Sequence, residues 1–269
     1  MPLTLYARPD WNVIADATLS WVVGGEDSDY PVINAKTLES DTVAKASATT
    51  ATLRATLGGP VRLYGVAAIN TNWPGLNPLL TNGGAMSAQS VVGGTVVEPE
   101  DDLCVNCWWD LENVSDALAT SNVWNIAVAG TPTNVAIGHL ALLTEFGWLR
   151  LDWNIELAEV VPNIEKRTGV GKRKQYRIPV RVREFTGTAL KSEDRDELLS
   201  LRRAAQSTIL PWILIPEAED PDVLLVQFAD TRQSTRQIYY RGAFHTNAVV
   251  GKMNMEIKAE EVNAGYSLV

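Results

Sequence analysis

The chain has 269 residues, 46% hydrophobic and 20% charged, with 23 Lys and Arg against 32 Asp and Glu, a formal net charge of -9 and a pI near 4.8. That length allows one large β domain or two ordinary ones, and the apolar content is enough for a buried core and excludes an intrinsically disordered chain. The acidic balance argues against a general binder of nucleic acid or of membrane surfaces, since both are negatively charged. No apolar run approaches the roughly 18 residues that cross a bilayer, and the start MPLTLYARPDW lacks the charged-then-apolar pattern of a signal peptide, so a protein made and folded in a cytoplasm is expected.

The first forty residues mix Trp11, Trp21 and Tyr30 with Gly24, Gly25 and Pro31 and show no helical period, which predicts short strands and turns. Small and β-branched residues dominate from Lys36 to Ala55, as in a sandwich whose outward faces carry Thr and Ser. Between Ala51 and Trp73 the architecture is most plainly written. Thr52, Arg54 and Thr56 alternate with Leu53, Ala55 and Leu57, which predicts a half-buried strand. Gly58, Gly59 and Pro60 break that run as a tight turn, and the nearly continuous apolar run from Arg62 to Ile69 predicts a strand covered on both faces.

Pro74 to Asp102 is rich in glycine and reads either as a functional surface loop or as a loop holding short strands such as Ser90 to Val97. Cys104 and Cys107 follow it in Cys-x-x-Cys spacing. A structural zinc site takes four ligands, no second pair accompanies them, and His139 and His245 are isolated. Two reduced structural thiols are expected, with no metal and no cofactor. Val123 to Val128 is a weakly two-faced strand. Asn134 to Leu143, almost wholly apolar, predicts a central strand covered on both faces, with His139 a hydrogen-bonded core or rim residue.

A different pattern starts near Phe146 and Gly147. Leu151, Trp153, Ile155 and Leu157 alternate with polar residues, as do Tyr176, Ile178, Val180 and Val182 with Arg177, Pro179, Arg181 and Arg183. Pro179 places the second of these strands at an edge or a bulge, because its nitrogen cannot join a ladder. Ser192 to Gln206 reads as a helix: Ser192 caps it, Glu193 and Asp194 suit its positive end, and Leu198, Leu201 and Ala205 form a stripe that would cover a sheet. Strands are predicted at Ile209 to Ile215, Val223 to Phe228, Gln237 to Phe244 and Met253 to Ala259.

Catalytic patterns are weak. Gly169-Val170-Gly171-Lys172 lacks the spacing, the following Ser or Thr and the following helix of a phosphate loop. No serine triad, metal-hydrolase motif or spaced carboxylate pair is visible, so an enzyme is not expected. The basic residues Lys172, Arg173, Lys174, Arg177, Arg181 and Arg183 stand out in an acidic chain. They form either a solvated hairpin that protects a sheet edge or an inter-subunit patch facing an acidic turn such as PEAEDPD of a neighbouring copy. Of nine tryptophans, Trp21, Trp124 and Trp153 read as core. Asn72, Trp73, Trp108 and Trp109, in or beside the glycine-rich stretch, are candidate contacts for a sugar ring or a protein partner.

The succession Leu57-Gly58-Gly59-Pro60-Val61, then Val66-Ala67-Ala68-Ile69-Asn70-Thr71-Asn72, then Ala136-Ile137-Gly138-His139-Leu140 resembles the galactose-binding-like jelly roll found in minor tail proteins of tailed bacteriophages. The second half is similar as well, with a helix like Asp194 to Ala205, LPWILIP, a short strand pair and the ending Ile257-Lys258-Ala259-Glu260-Glu261. The resemblance implies a mostly β protein: a jelly-roll β-sandwich over residues 1–145, then a β-rich domain over 146–269 with one covering α-helix at about 193–206. It further implies a structural component of a bacteriophage tail tip, of distal-tail or baseplate type, found in the virion tail. There it would assemble as a homo-oligomeric ring between the tail tube and the host-recognition proteins, with host-surface carbohydrate as a further partner. The Pro74 to Asp102 insertion departs from short-loop examples and bears on whether a sugar site is kept. A carbohydrate-binding module recognising host-surface glycans is the alternative, and a polysaccharide hydrolase the third.

Overall fold

The structure is a computed structural model that describes residues 4–36, 43–73, 78–84, 86–90, 93–96, 105–131, 133–160, 163–167, 173–177, 180–189, 197–198, 200–201, 203–205, 211–216, 223–228, 235–239 and 253–261. In the first half the strands are β1 (Thr4–Ala7), β2 (Thr18–Val23), β3 (Ala44–Lys45), β4 (Ala51–Arg62), β5 (Gly65–Thr71), β6 (Leu79–Thr81), β7 (Gln89–Ser90), β8 (Gly93–Val96), β9 (Val105–Asp110), β10 (Thr120–Val128) and β11 (Ala136–Leu143), with one helical turn, α1 (Asp116–Ala119), ahead of β10. The second half contributes β12 (Gly147–Leu149), β13 (Leu151–Val160), β14 (Asn163–Arg167), β15 (Arg173–Arg177), β16 (Val180–Ala189), β17 (Trp212–Ile215), β18 (Leu224–Phe228), β19 (Thr235–Tyr239) and β20 (Met253–Glu261). The protein is mostly β, and every strand pairing is antiparallel.

Two five-stranded sheets, ordered β2-β4-β10-β6-β7 and β3-β11-β5-β9-β8, form a sandwich. From β2 to β6 the chain changes sheet at every strand, and β10 and β11 again lie in different sheets, which gives the jelly-roll connectivity. The alternation in β4 places Leu53 and Leu57 inward, where they meet Leu80, Trp124 and Ile126 of their own sheet and Val66, Ala68, Leu140 and Leu142 of the other.

A third, eight-stranded sheet runs β12-β1-β17-β18-β20-β16-β13, with β19 also on β20. Its composition departs from a simple division by halves: β1, which precedes the sandwich in sequence, pairs with β12 and β17. This sheet packs on the outer face of the second sheet. Ala67 and Ile69 of β5, Trp108 of β9, and Ala141 and Leu143 of β11 meet Leu5 and Ala7 of β1, Ile213 and Ile215 of β17, and Leu225 of β18. The far face of the third sheet, formed by Tyr6, Leu149, Trp212, Leu214, Leu224 and Val226, is covered by Leu198, Leu201 and Ala205. Those three residues form the predicted stripe, on backbone that is helical at the described positions between 197 and 205.

Four layers result: sheet, sheet, sheet and helix. The two inner layers explain why β5, β11, β17 and β18 are apolar at both odd and even positions, since a covered strand has no wet face. Two polar ties fasten the layers. Asn106 accepts from the Asn70 backbone N–H at 2.9 Å and donates to Val223 O at 2.8 Å across the sheet interface. Tyr6 donates its hydroxyl to Glu197 at 2.6 Å, linking β1 to the helix. Burial and this contact push the Tyr6 phenol well above its ordinary range.

Three expectations change. Gly58, Gly59 and Pro60 do not turn the chain; they lie inside β4, where its pairing with β10 jumps from Thr56↔Val123 to Val61↔Ser121. Two residues without Cβ and one without an N–H suit such an irregularity, and the reversal falls later, at Leu63 and Tyr64. The glycine-rich stretch holds β6, β7 and β8 rather than one open loop. The predicted strand at 176–182 is divided between β15 and β16, with 178–179 outside the described residues, and β16 lies between β13 and β20 rather than at an edge.

Candidate functional site

The aromatic contacts predicted from sequence are corrected by their burial. Trp73, Trp108 and Trp109 are 1%, 2% and 0% exposed. Trp73 and Trp109 lie 6.3 Å apart in the sandwich core, while Trp108, on the opposite side of β9, fills the interface with the third sheet. None offers a ring face to a sugar. Asn72 is also buried: its amide donates to Thr133 Oγ1 at 3.0 Å and Asn134 O at 2.7 Å, and its oxygen accepts from the Ala136 N–H at 2.8 Å. It fastens the end of β5 to the start of β11. These residues flank a glycine-rich stretch in sequence, but the strand period sends them into two different cores.

The basic residues belong to two strand pairs. Arg173, Lys174 and Arg177 lie on β15, and Arg181 and Arg183 on β16; Lys172 and the side chains of all six are outside the described residues. Register places Arg173 opposite Arg167 and Lys174 opposite Lys166, like against like, whereas Arg181 stands opposite Glu159 of β13. Cys107 is a free, buried thiol, which burial pushes up to about 12, far from a reactive thiolate. Cys104 lies outside the described residues. Among the described residues no group of three or more His, Cys, Asp or Glu could hold a metal ion.

What does reach solvent is an aromatic array that the sequence pattern did not single out. Tyr64 and Trp148 are 36% and 37% exposed, with Phe146 between them. Phe146 meets Tyr64 at 6.3 Å and 88°, and Trp148 at 5.6 Å and 85°; beneath them its ring lies 6.4 Å from Trp108. These edge-to-face contacts follow the favoured quadrupole geometry. The array sits where the second and third sheets meet. Tyr64 ends the turn between β4 and β5, while Phe146 lies in the connection from β11 to β12 and Trp148 in β12.

The array is held rigidly. The Tyr64 backbone N–H donates to Leu143 O at 2.8 Å, and its carbonyl accepts from the Leu111 N–H at 2.9 Å. Arg62 stacks 4.4 Å from the centre of the Tyr64 ring and donates to Asp116 at 2.9 Å, to the carbonyls of Leu111 and Val114 at 3.0 Å, and to Leu63 O. With its guanidinium so occupied, Arg62 works as a bracket rather than a free cation. One carboxylate adjoins the array: Asp110, paired with Gly65 next to Tyr64, which accepts from the Glu112 N–H at 2.8 Å through Oδ1, whereas the Glu145 carboxylate faces Tyr6 and Arg8. Aromatic surface beside a carboxylate acceptor suits a ligand with apolar C–H faces and hydroxyl donors. The sequence signal for this array is Phe146 and Trp148, two apart and so on one side of the strand.

No family model matches the chain, and no curated protein sequence matches it. Among solved structures, it is similar to a Streptococcus pneumoniae fucose binding module, SpX-3, at 9% identity over 50% of this chain and 98% of that one, with a TM-score of 0.38. The family 32 CBM from C. perfringens NanJ, in complex with galactose, is similar at 14% identity over 53% of this chain and 99% of that one, with a TM-score of 0.37. Reduced XRCC1, in a structure bound to the DNA pol beta catalytic domain, is similar at 12% identity over 48% and 98%, with a TM-score of 0.36. Similarity this distant, over about half of the chain, says nothing about which ligand this protein takes.

Proposed function

We propose that the protein is a non-catalytic recognition protein that binds carbohydrate through the array of Tyr64, Phe146 and Trp148. The observation that carries this reading is a rigid aromatic surface, more than one-third exposed at two of its rings, on a jelly-roll scaffold. A ring surface already locked by Arg62 and by backbone hydrogen bonds loses little conformational entropy when a pyranose stacks on it. Asp110 would accept from a sugar hydroxyl through its second oxygen. A glycan array followed by calorimetry tests this. Tyr64→Ala and Trp148→Ala should each weaken binding about tenfold, equivalent to about 1.4 kcal/mol, with little change in melting temperature because both rings are partly wet. Absence of binding to any glycan, or binding indifferent to both substitutions, would overturn it.

A second reading, a structural component of a bacteriophage tail tip built as a homo-oligomeric ring, is supported by a separate observation. Strand β13 ends the third sheet, and among the described residues its ten residues pair with β16 alone. An edge this long can add a strand from another copy. Mass photometry should then show a closed oligomer, and purified particles should contain the chain at the tail tip. A strict monomer at micromolar concentration, together with absence from particles, would rule this reading out.

A further inference from the structure

A second site lies away from the aromatic array. Where the sandwich and the third sheet diverge, a cleft of about 190 Å³ opens between β11 and the start of β17. Its wall is mostly apolar, formed by Ile14, Leu143, Ile213 and Leu225, with His139 (2% exposed) as part of the polar lining. Arg8 and Lys36 also line it, in a protein whose net charge is -9.

The two cations differ. Arg8 is anchored, donating through Nε and Nη2 to Asp10 at 2.9 and 2.5 Å and through Nη1 to Ser200 Oγ at 2.8 Å, with its guanidinium 4.8 Å from the Trp11 ring. The same hydrogen bonds hold the Asp10 carboxyl below the ordinary carboxylate range, so Arg8 is neutralised in place. Two of its five N–H groups remain without a partner among the described residues. Lys36 donates to a neutral acceptor, Ala15 O at 3.2 Å, and among the described residues no carboxylate comes within ion-pair distance of it. The cleft therefore joins an ammonium that has no carboxylate in ion-pair range among the described residues, and a guanidinium preset by Asp10 with Glu145 nearby, to an apolar hollow with the volume of roughly six waters.

We propose that this cleft binds a small aliphatic monocarboxylate, its chain among Ile14, Leu143, Ile213 and Leu225 and its carboxylate between Lys36 and Arg8. The apolar wall selects against small inorganic anions, which have no chain to bury, and the cations select against neutral alkyl ligands. Capacity limits the chain to about six carbons. The site shares no residue with the aromatic array, so either can fail without the other.

The test uses the whole chain with sodium hexanoate as probe, and with acetate and 1-hexanol as controls that lack the chain or the charge. Binding is followed by two-dimensional amide NMR and by intrinsic tryptophan fluorescence, to which Trp212 in the cleft lining contributes. Hexanoate should saturate at least tenfold more tightly than either control. Lys36→Gln should weaken it five- to tenfold and Lys36→Arg restore it, with melting temperature little changed, since among the described residues Lys36 makes one hydrogen bond, at the surface. No saturable shift with hexanoate would overturn the proposal. So would acetate binding as tightly as hexanoate, hexanol binding as tightly as hexanoate, or a Lys36→Gln protein that binds normally.

Discussion

Expressed alone, a fragment ending at residue 145 should be insoluble or self-associated. Its sandwich core would be complete, but the outer face of the second sheet would lose its cover. Ala67, Ile69, Trp108, Ala141 and Leu143 are all at most 2% exposed in the full chain and pack against β1, β17 and β18. Without residues 146–269, β1 also loses both of its strand partners, β12 and β17. Burial of a large apolar side chain contributes about 1.5–3 kcal/mol, so uncovering this face removes on the order of 5–10 kcal/mol, comparable with the whole stability of a typical domain. Solubility, size-exclusion elution and dye binding to exposed apolar surface measure the effect. A soluble monomer of 1–145 with cooperative unfolding would overturn this expectation and would favour a division into two self-sufficient units at that point.

Gly65→Ala should be among the most damaging single substitutions in the chain. A methyl at that position would lie 2.1 Å from Trp108 Cη2 and 2.8 Å from two further ring atoms. The indole cannot withdraw easily, because it is 2% exposed and wedged between two sheets, with Phe146 at 6.4 Å. Overpacking in a closed core costs about 1–3 kcal/mol, and this contact falls at the upper end. Trp108→Ala, which empties the same space, should cost about 3–5 kcal/mol. The pair is coupled: in a Trp108→Leu background Gly65→Ala should lose much of its penalty, an interaction that a double-mutant cycle in urea reads directly, provided the m-value holds constant. Additive costs would mean that the ring and the glycine do not meet as described. The same experiment separates packing from recognition, since Trp108 should matter for stability and Trp148 for binding.

That contrast between two tryptophans shows how far the local pattern reaches. Alternation in Leu53, Ala55 and Leu57 and the apolar runs of β5 and β11 depend only on whether a strand has one wet face or none, so the half-buried strand and both covered strands were legible residue by residue. The stripe of Leu198, Leu201 and Ala205 was legible for the same reason, because a helix that covers a sheet repeats every three to four residues. Irregular geometry was less so: Gly58, Gly59 and Pro60 signal a break in regular pairing, and only pairing with β10 decides whether the break becomes a turn or a bulge.

Which layer covers which face is not local. Nothing in β9 distinguishes Trp108 from Trp109; their destinations, in the sheet interface and in the sandwich core, are set by a third sheet whose neighbouring strands β1 and β17 lie more than 200 residues apart in the chain. Asn72 and the buried tryptophans looked available because the glycine-rich stretch beside them suggested a surface, and the tertiary structure covers them. Tyr64, Phe146 and Trp148 come together from two separate segments, and Arg8, Lys36 and His139 from three. By itself the sequence determined the strands, the helix and the mostly β class, because those follow from the period of apolar residues. Only the tertiary structure decided which aromatic and cationic side chains remain at the surface, because exposure depends on segments distant in the chain that pack over a given face.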